Sequence, residues 1–216
     1  MNSTKNDPGS STLVIVSAPS GCGKDTLINR ITAGRGDVAR SVSATTRKPR
    51  EGERNGVDYD FVTPAEFDAL VREDGFWEWA EYGGNRYGTV KRNVQRLIDA
   101  GTPYILLKIE VQGARLLRES GYDVNMIFVL PPSFKTLEKR LRDRATDGEE
   151  DVKKRLAAAV NELRTAPDYD YMIVNDDLDE AVRDLMTAIE RGPGSERFRR
   201  ENMLPVWREV MKDAQV

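Results

Sequence analysis

The segment TLVIVSAPSGCGKDTLINRITA, residues 12–33, restricts the fold more than any other part of the chain. A run rich in β-branched residues, Leu13 to Val16, leads into a turn holding Gly21 and Gly23, after which Leu27, Ile28 and Ile31 recur at helical spacing. Strand, glycine-rich loop and helix in that order converge backbone N–H groups at a helix N-terminus, where an anion is favoured, and Lys24 adds a point charge. The segment predicts a phosphate-binding loop of Ser20, Gly21, Cys22, Gly23, Lys24, Asp25 and Thr26, with an ordinary glycine turn as the alternative. The strict pattern Gly-x-x-x-x-Gly-Lys-Ser/Thr is broken twice, by Ala18 at its first position and Asp25 at its last. In such loops the hydroxyl after lysine helps hold Mg2+, so Asp25 either binds metal or needs a neutralising partner. Thr26 supplies a hydroxyl one residue later, turned by about 100° around the helix. Cys22 has two open readings: a thiol activated by the helix N-terminus, or a small residue that fills the loop.

The remainder alternates in the same way. Apolar runs PYILLKIEV (103–111), NMIFVLPP (125–132) and YMIVND (171–176) are separated by helical patterns, which predicts an α/β fold with a parallel sheet flanked by helices. One late helix carries Val152, Leu156, Val160 and Leu163 along a single face behind a capping-box pair, Thr146 and Glu149. The next, DDLDEAVRDLMTAIERG, is expected to end at Gly192. Between residues 41 and 92, GVDYDFVT, GFWEWAEYGG and RYGTV are aromatic, glycine-punctuated strand candidates without long helices between them, which predicts a small β-rich insertion. The core then comprises residues 12–40 and 93–192. Residues 1–11 read as a disordered leader, and 193–216 as a helical tail that places Phe198, Leu204, Trp207 and Met211 against its own domain or against a partner.

With 33 basic and 36 acidic residues and a net charge of −3, the chain has no general attraction for nucleic acid or membrane, so anion binding must be local. It has no apolar run of about 18 residues and no charged-then-apolar leader, so a cytoplasmic protein is expected. A single cysteine excludes an internal disulfide, and the absence of histidine removes the commonest zinc ligand and the commonest general base.

Arg47 and Arg50 flank Pro49, where helix is disfavoured; they either aim two guanidinium forks at one anion or form a solvated basic turn. Glu78 lies between Trp77 and Trp79, and Tyr59 and Tyr87 adjoin glycine turns, a composition that suits a partly apolar pocket holding an acid. At this point PSGCGK, SVSATTRKPREGERNGVDYDFV, EWAEYGGNRYGT, VQGA and IVNDDLDEA, in order across roughly residues 12–190, resemble the successive signatures of guanylate kinases. The resemblance implies a P-loop NTPase core, a GMP-binding region at 41–92 that closes on substrate, a helical lid at about 138–156, and transfer of a phosphoryl group from ATP to GMP, or dGMP, with Mg2+. It also implies a role in purine nucleotide metabolism, as a monomer or homodimer without nucleic-acid or membrane partners.

Carried over by position, Ser43 and Glu78 meet the guanine, and Arg47, Arg50, Tyr59 and Tyr87 hold the GMP phosphate. Thr89 stands where the family often has a serine or threonine with a similar polar role, and Glu110 reaches either the guanine or the metal shell. Guanine presents N1–H and its 2-amino group as adjacent donors, which one carboxylate accepts together and adenine cannot match. Arg140 and Arg144, which spacing alone reads as a basic stripe on one helix face, join Arg155, Lys24 and Arg50 as the expected catalytic cations, and Asn175 falls on the adenine side. The family usually reads Arg-Gly-Thr where this chain has Arg144-Ala145-Thr146. Such a transfer needs positioning and charge stabilisation rather than a base, because the accepting phosphate oxygen is already anionic, so a histidine-free chain suffices.

One departure bears on the metal. The family's central strand typically ends in two acids with one residue between them, and here LKIEVQG puts Lys108 at the first and Glu110 at the second. An acid is gained at Asp25 and lost at Lys108, a charge exchange in which Asp25 either pairs with Lys108 or takes the metal. Two alternatives stay open: a related kinase acting on ribose 1,5-bisphosphate, which GKDT resembles, and a guanylate-kinase-like binding module without metal chemistry.

Overall fold

The computed structural model describes residues 11–143 and 149–214. Arg144, Ala145 and the Thr146 half of the expected capping box therefore lie outside the described residues, as do residues 1–10 of the expected leader. In chain order the elements are β1 (Thr12–Ser17), α1 (Lys24–Gly34), β2 (Val38–Arg40), β3 (Ala44–Thr45), β4 (Asp60–Phe61), α2 (Pro64–Arg72), β5 (Phe76–Tyr82), β6 (Asn85–Val90), α3 (Lys91–Asp99), β7 (Tyr104–Lys108), α4 (Val111–Glu119), β8 (Val124–Leu130), α5 (Phe134–Asp143), α6 (Glu149–Leu163), β9 (Tyr171–Val174), α7 (Leu178–Glu190) and α8 (Arg200–Lys212).

They divide into two compact units, one formed by the chain up to Ile15 with Arg35–Val124, the other by Val16–Gly34 with the chain from Asn125 onward. The strand order is β2-β7-β1 in the first and β1-β8-β9 in the second, β1 being divided after Ile15. Val38 to Arg40 run parallel to Tyr104 to Leu106, and Ile127 to Leu130 run parallel to Tyr171 to Val174. All seven residues of β8 are buried, which is why its sequence is a continuous apolar run rather than an alternating one. The mixed α/β architecture predicted from the alternation is thus present.

The first unit also holds a four-stranded sheet, β4-β3-β6-β5, in which β5 and β6 form an antiparallel hairpin closed by Gly83 and Gly84. The sequence reading missed α2, which lies within this region. Its signal was present: Thr63 caps the helix, accepting from Glu66 N–H at 3.2 Å while Glu66 Oε2 accepts from Thr63 N–H at 2.7 Å, and Pro64 occupies the first turn. Phe67 from α2 stacks on Phe76 at 4.6 Å, and with Ala44 and Val90 they make a small core that anchors the helix to the sheet. Full burial of one such phenylalanine is worth about 2–3 kcal/mol.

The end of α7 differs from expectation. The helix stops at Glu190 and the left-handed position falls on Arg191, at φ 51°, rather than on Gly192. A side chain in that conformation costs about 1 kcal/mol relative to glycine. Arg191→Gly is therefore expected to raise the stability of the chain by about that amount, read as a higher denaturant midpoint at unchanged slope.

The tail packs on the second unit. Trp207 Nε1 donates to the Leu163 carbonyl at 2.8 Å, and Phe198, Met203, Val210 and Ala214 are buried. Leu204 and Met211, expected in the seam, are only half-buried, because the helix turns its Met203 and Val210 face inward, seven residues or two turns apart.

Candidate active site

In the second unit β1 feeds the loop and α1 begins at Lys24, with Gly21 at φ 90° and Gly23 at φ 83°. Glycine at 23 is required by packing as well as by conformation: a Cβ there would lie 2.5 Å from Asn175 Nδ2. That amide nitrogen donates to the Cys22 carbonyl at 2.7 Å, and the Asn175 carbonyl accepts from Arg140 at 3.1 Å. From α6, Glu162 Oε2 accepts the Ser20 N–H at 3.1 Å and Arg155 reaches the Ser20 hydroxyl at 3.5 Å. The loop is thus held by the residue after β9 and by two side chains of α6 set two turns apart.

Cys22 is fully buried, donates to the Val129 carbonyl at 3.4 Å, and has its pKa pushed up to about 12 by that burial, only partly offset by Arg140 and Lys24. Of its two readings, the loop filler is correct and the activated thiol is not. Lys24, Arg140 and Arg155 are gathered around the loop, while Asp25 and Thr26 stand exposed in the first turn of α1.

In the first unit a different cluster forms on the four-stranded sheet. Glu78, on β5, is only 8% exposed; its Oε1 accepts from Thr89 N–H at 3.2 Å and from the Thr89 hydroxyl at 2.6 Å. Burial raises the Glu78 pKa above the usual carboxylate range; the Thr89 bonds oppose this, and Glu110 adds to it. Its second oxygen faces the start of α4, where a Cβ on Gly113 would come within 2.2 Å of it. Only glycine lets that backbone approach the acid.

Arg47 forms a paired bond with Glu53 at 2.8 and 2.9 Å, and its guanidinium lies 5.4 Å from the Tyr59 ring centre. Glu53 also accepts the Arg50 N–H at 2.7 Å, and Arg50 is exposed. Tyr59 meets Tyr87 edge-on at 5.8 Å, and Lys108 Nζ sits 4.2 Å over the other tyrosine partner, Tyr59. Ser43 is buried beside β3, its carbonyl accepting from Asp60 N–H at 2.9 Å, and Glu110 occupies the residue before α4.

A family model described as guanylate kinase matches residues 10–192. The chain is 48% identical over 171 residues to the guanylate kinase of Parasynechococcus marenigrum (strain WH8102), covering 79% of this chain and 93% of that one. It is 44% identical over 182 residues to that of Streptomyces kasugaensis, covering 84% and 88%. The crystal structure of guanylate kinase from Anaplasma phagocytophilum superposes with a TM-score of 0.69 at 33% identity, covering 85% of this chain and 86% of that one. The chain belongs to the guanylate kinase family.

Within a guanylate kinase framework, sequence reasoning missed two acids. Glu53 organises the Arg47–Arg50 turn, yet the stretch PREGER offers Glu51 equally, and only the turn geometry selects Glu53. Glu162 shares a face of α6 with Arg155 and bonds the loop, but on spacing alone it is one of many helix-surface acids. Asn175 is placed with its amide committed to the loop carbonyl of Cys22.

Proposed function

We propose that this chain catalyses phosphoryl transfer from ATP to GMP, giving ADP and GDP, with dGMP as a second acceptor. The observation that carries the reading is the first unit's cluster, a buried carboxylate, Glu78, on the same sheet as a cup of Arg47, Tyr59 and Tyr87. Tyr87 and Thr89 lie two residues apart on one face of β6, about 7 Å, so acid and cup serve opposite ends of one ligand. An acid-lined base site favours a purine nucleotide over a ribose bisphosphate, which has no base to read.

In this proposal Glu78 accepts the two guanine donors, with Ser43, Thr89 and Glu110 beside it, and Arg47, Arg50, Tyr59 and Tyr87 bind the acceptor phosphate. The loop residues Ser20 to Thr26 bind the ATP phosphates, and Lys24, Arg140, Arg155 and Arg144 with Arg50 neutralise the transferred group. Retention of Lys24, Arg140 and Arg155 around the loop argues for catalysis over a binding module.

Members of this family use ATP with a metal ion, which we assign as Mg2+. Its ligands in this proposal are phosphate oxygens and water together with Asp25 and Thr26, both exposed in the first turn of α1. When bound, it offsets charge on the phosphates. In this proposal the acid gained at Asp25 serves the metal, and Lys108 stands where the family carries an acid. No helix among the described residues is long and apolar enough to cross a membrane, and we place the activity in the cytoplasm.

The test is ADP release from ATP with excess GMP, run with Mg2+ and with a chelator, and with AMP as acceptor. Turnover with GMP and Mg2+ alone is expected. Absence of turnover with GMP binding intact would point instead to the binding module, and equal use of AMP would remove Glu78 as the base reader.

A further inference from the structure

We infer that Lys108 is a third cation of the acceptor-phosphate cup and binds the phosphomonoester of the acceptor nucleotide. This rests on the acceptor reading given above. Lys108 closes β7, within the first unit, and its Nζ lies 4.2 Å from the centre of the Tyr59 ring. The Arg47 guanidinium lies 5.4 Å from the same ring and 5.7 Å from Phe61. Tyr87 meets Tyr59 edge-on, and Tyr87 also contributes to holding the Arg47 charge.

Both cations lie within 6 Å of the centre of one aromatic ring, so a dianionic phosphate seated beside that ring gains attraction from each. Arg47 is already bonded to Glu53 through both nitrogens, which fixes its fork and partly neutralises it. The ammonium of Lys108 is a compact point charge on a flexible stem that suits an anion without demanding bidentate geometry. Glu110, two residues further on, adds its charge to the surroundings of Glu78, so in this reading the acid and the lysine of this short stretch serve different ends of the ligand. Where the family places an acid, this chain adds a positive charge at the phosphate end of the acceptor.

Calorimetric titration of the full chain with GMP, guanosine and inorganic phosphate distinguishes the roles. Lys108→Gln is expected to weaken GMP and inorganic phosphate by roughly 10- to 50-fold while leaving guanosine within about twofold, and Lys108→Arg is expected to retain GMP within about threefold. In turnover the loss appears in the KM for GMP, with the KM for ATP unchanged. Lys108→Met keeps the aliphatic stem over Tyr59 and replaces the glutamine variant if that one does not fold. Unchanged GMP binding, or an equal loss of GMP and guanosine, overturns the inference, the second because it marks a shaping role without phosphate contact. If the unmutated chain binds GMP no better than AMP, the acceptor reading falls by itself, and the inorganic phosphate arm still decides whether Lys108 holds an anion.

Discussion

Glu78→Gln is expected to lower kcat/KM for GMP on the order of 1,000-fold while making the ligand-free protein harder to unfold. The first effect follows from donor and acceptor matching. A carboxylate accepts from both guanine donors, whereas the glutamine amide accepts one and points its own N–H groups at the other, leaving a buried clash of donors. IMP, which lacks the 2-amino group, should lose less, so the preference for GMP over IMP collapses. The second effect follows from linkage. Burial raises the folded pKa of Glu78 above its unfolded value, so between those two values the folded state binds more protons and stability falls as pH rises through that window. Above it the ionised, buried acid is a standing cost, which the proposed role in reading the base accounts for. Removing the charge should raise the melting temperature near neutral pH and leave it nearly unchanged at acid pH. Steady-state kinetics with GMP and IMP, and thermal unfolding at two pH values, check both. A variant that keeps GMP turnover would show that the base is read elsewhere.

Asn175→Asp is expected to lower kcat/KM for ATP about 100-fold with little change in the KM for GMP. The amide of Asn175 donates to the Cys22 carbonyl at 2.7 Å and stands against Gly23, so a carboxylate there turns a hydrogen bond into a repulsion and places a negative charge under the phosphate loop. The loss of a buried donor with an opposing charge amounts to about 3 kcal/mol, which is that factor in rate. The position also bears on how Asn175 acts. A brace of the loop makes ATP and GTP lose equally as phosphoryl donors, whereas a contact to adenine changes their ratio. Donor competition kinetics separate the two. A loss shared by ATP and GMP alike would mean general unfolding rather than a damaged loop.

Much of the site was legible because its chemistry is local. Ser20 to Thr26 adjoin one another in the chain, so the order strand, glycine loop, helix could be read locally, while the partners that hold the loop, Asn175, Arg155 and Glu162, lie far along the chain. The acceptor signatures were read by family resemblance, and the family is borne out. Helix α2 was equally local, with Thr63, Pro64 and Glu66 spelling its start, and was missed because the aromatic strand candidates around it dominated the stretch. Glu162 was illegible for a different reason: it meets Ser20 across 142 residues, and no periodicity records such a meeting.

The sequence by itself determined the alternation of strand and helix, the glycine-rich loop before α1 and the set of cations and acids in the chain, because burial patterns and backbone preferences act over a few residues. Tertiary structure decided which of those charges acquire partners. It buried Cys22 and raised its pKa, joined Arg47 to Glu53, set Glu78 between Thr89 and Gly113, and brought Lys108 onto Tyr59. Charge and burial depend on neighbours far apart in the chain, and desolvation gives each of these side chains a property that its residue type alone does not possess.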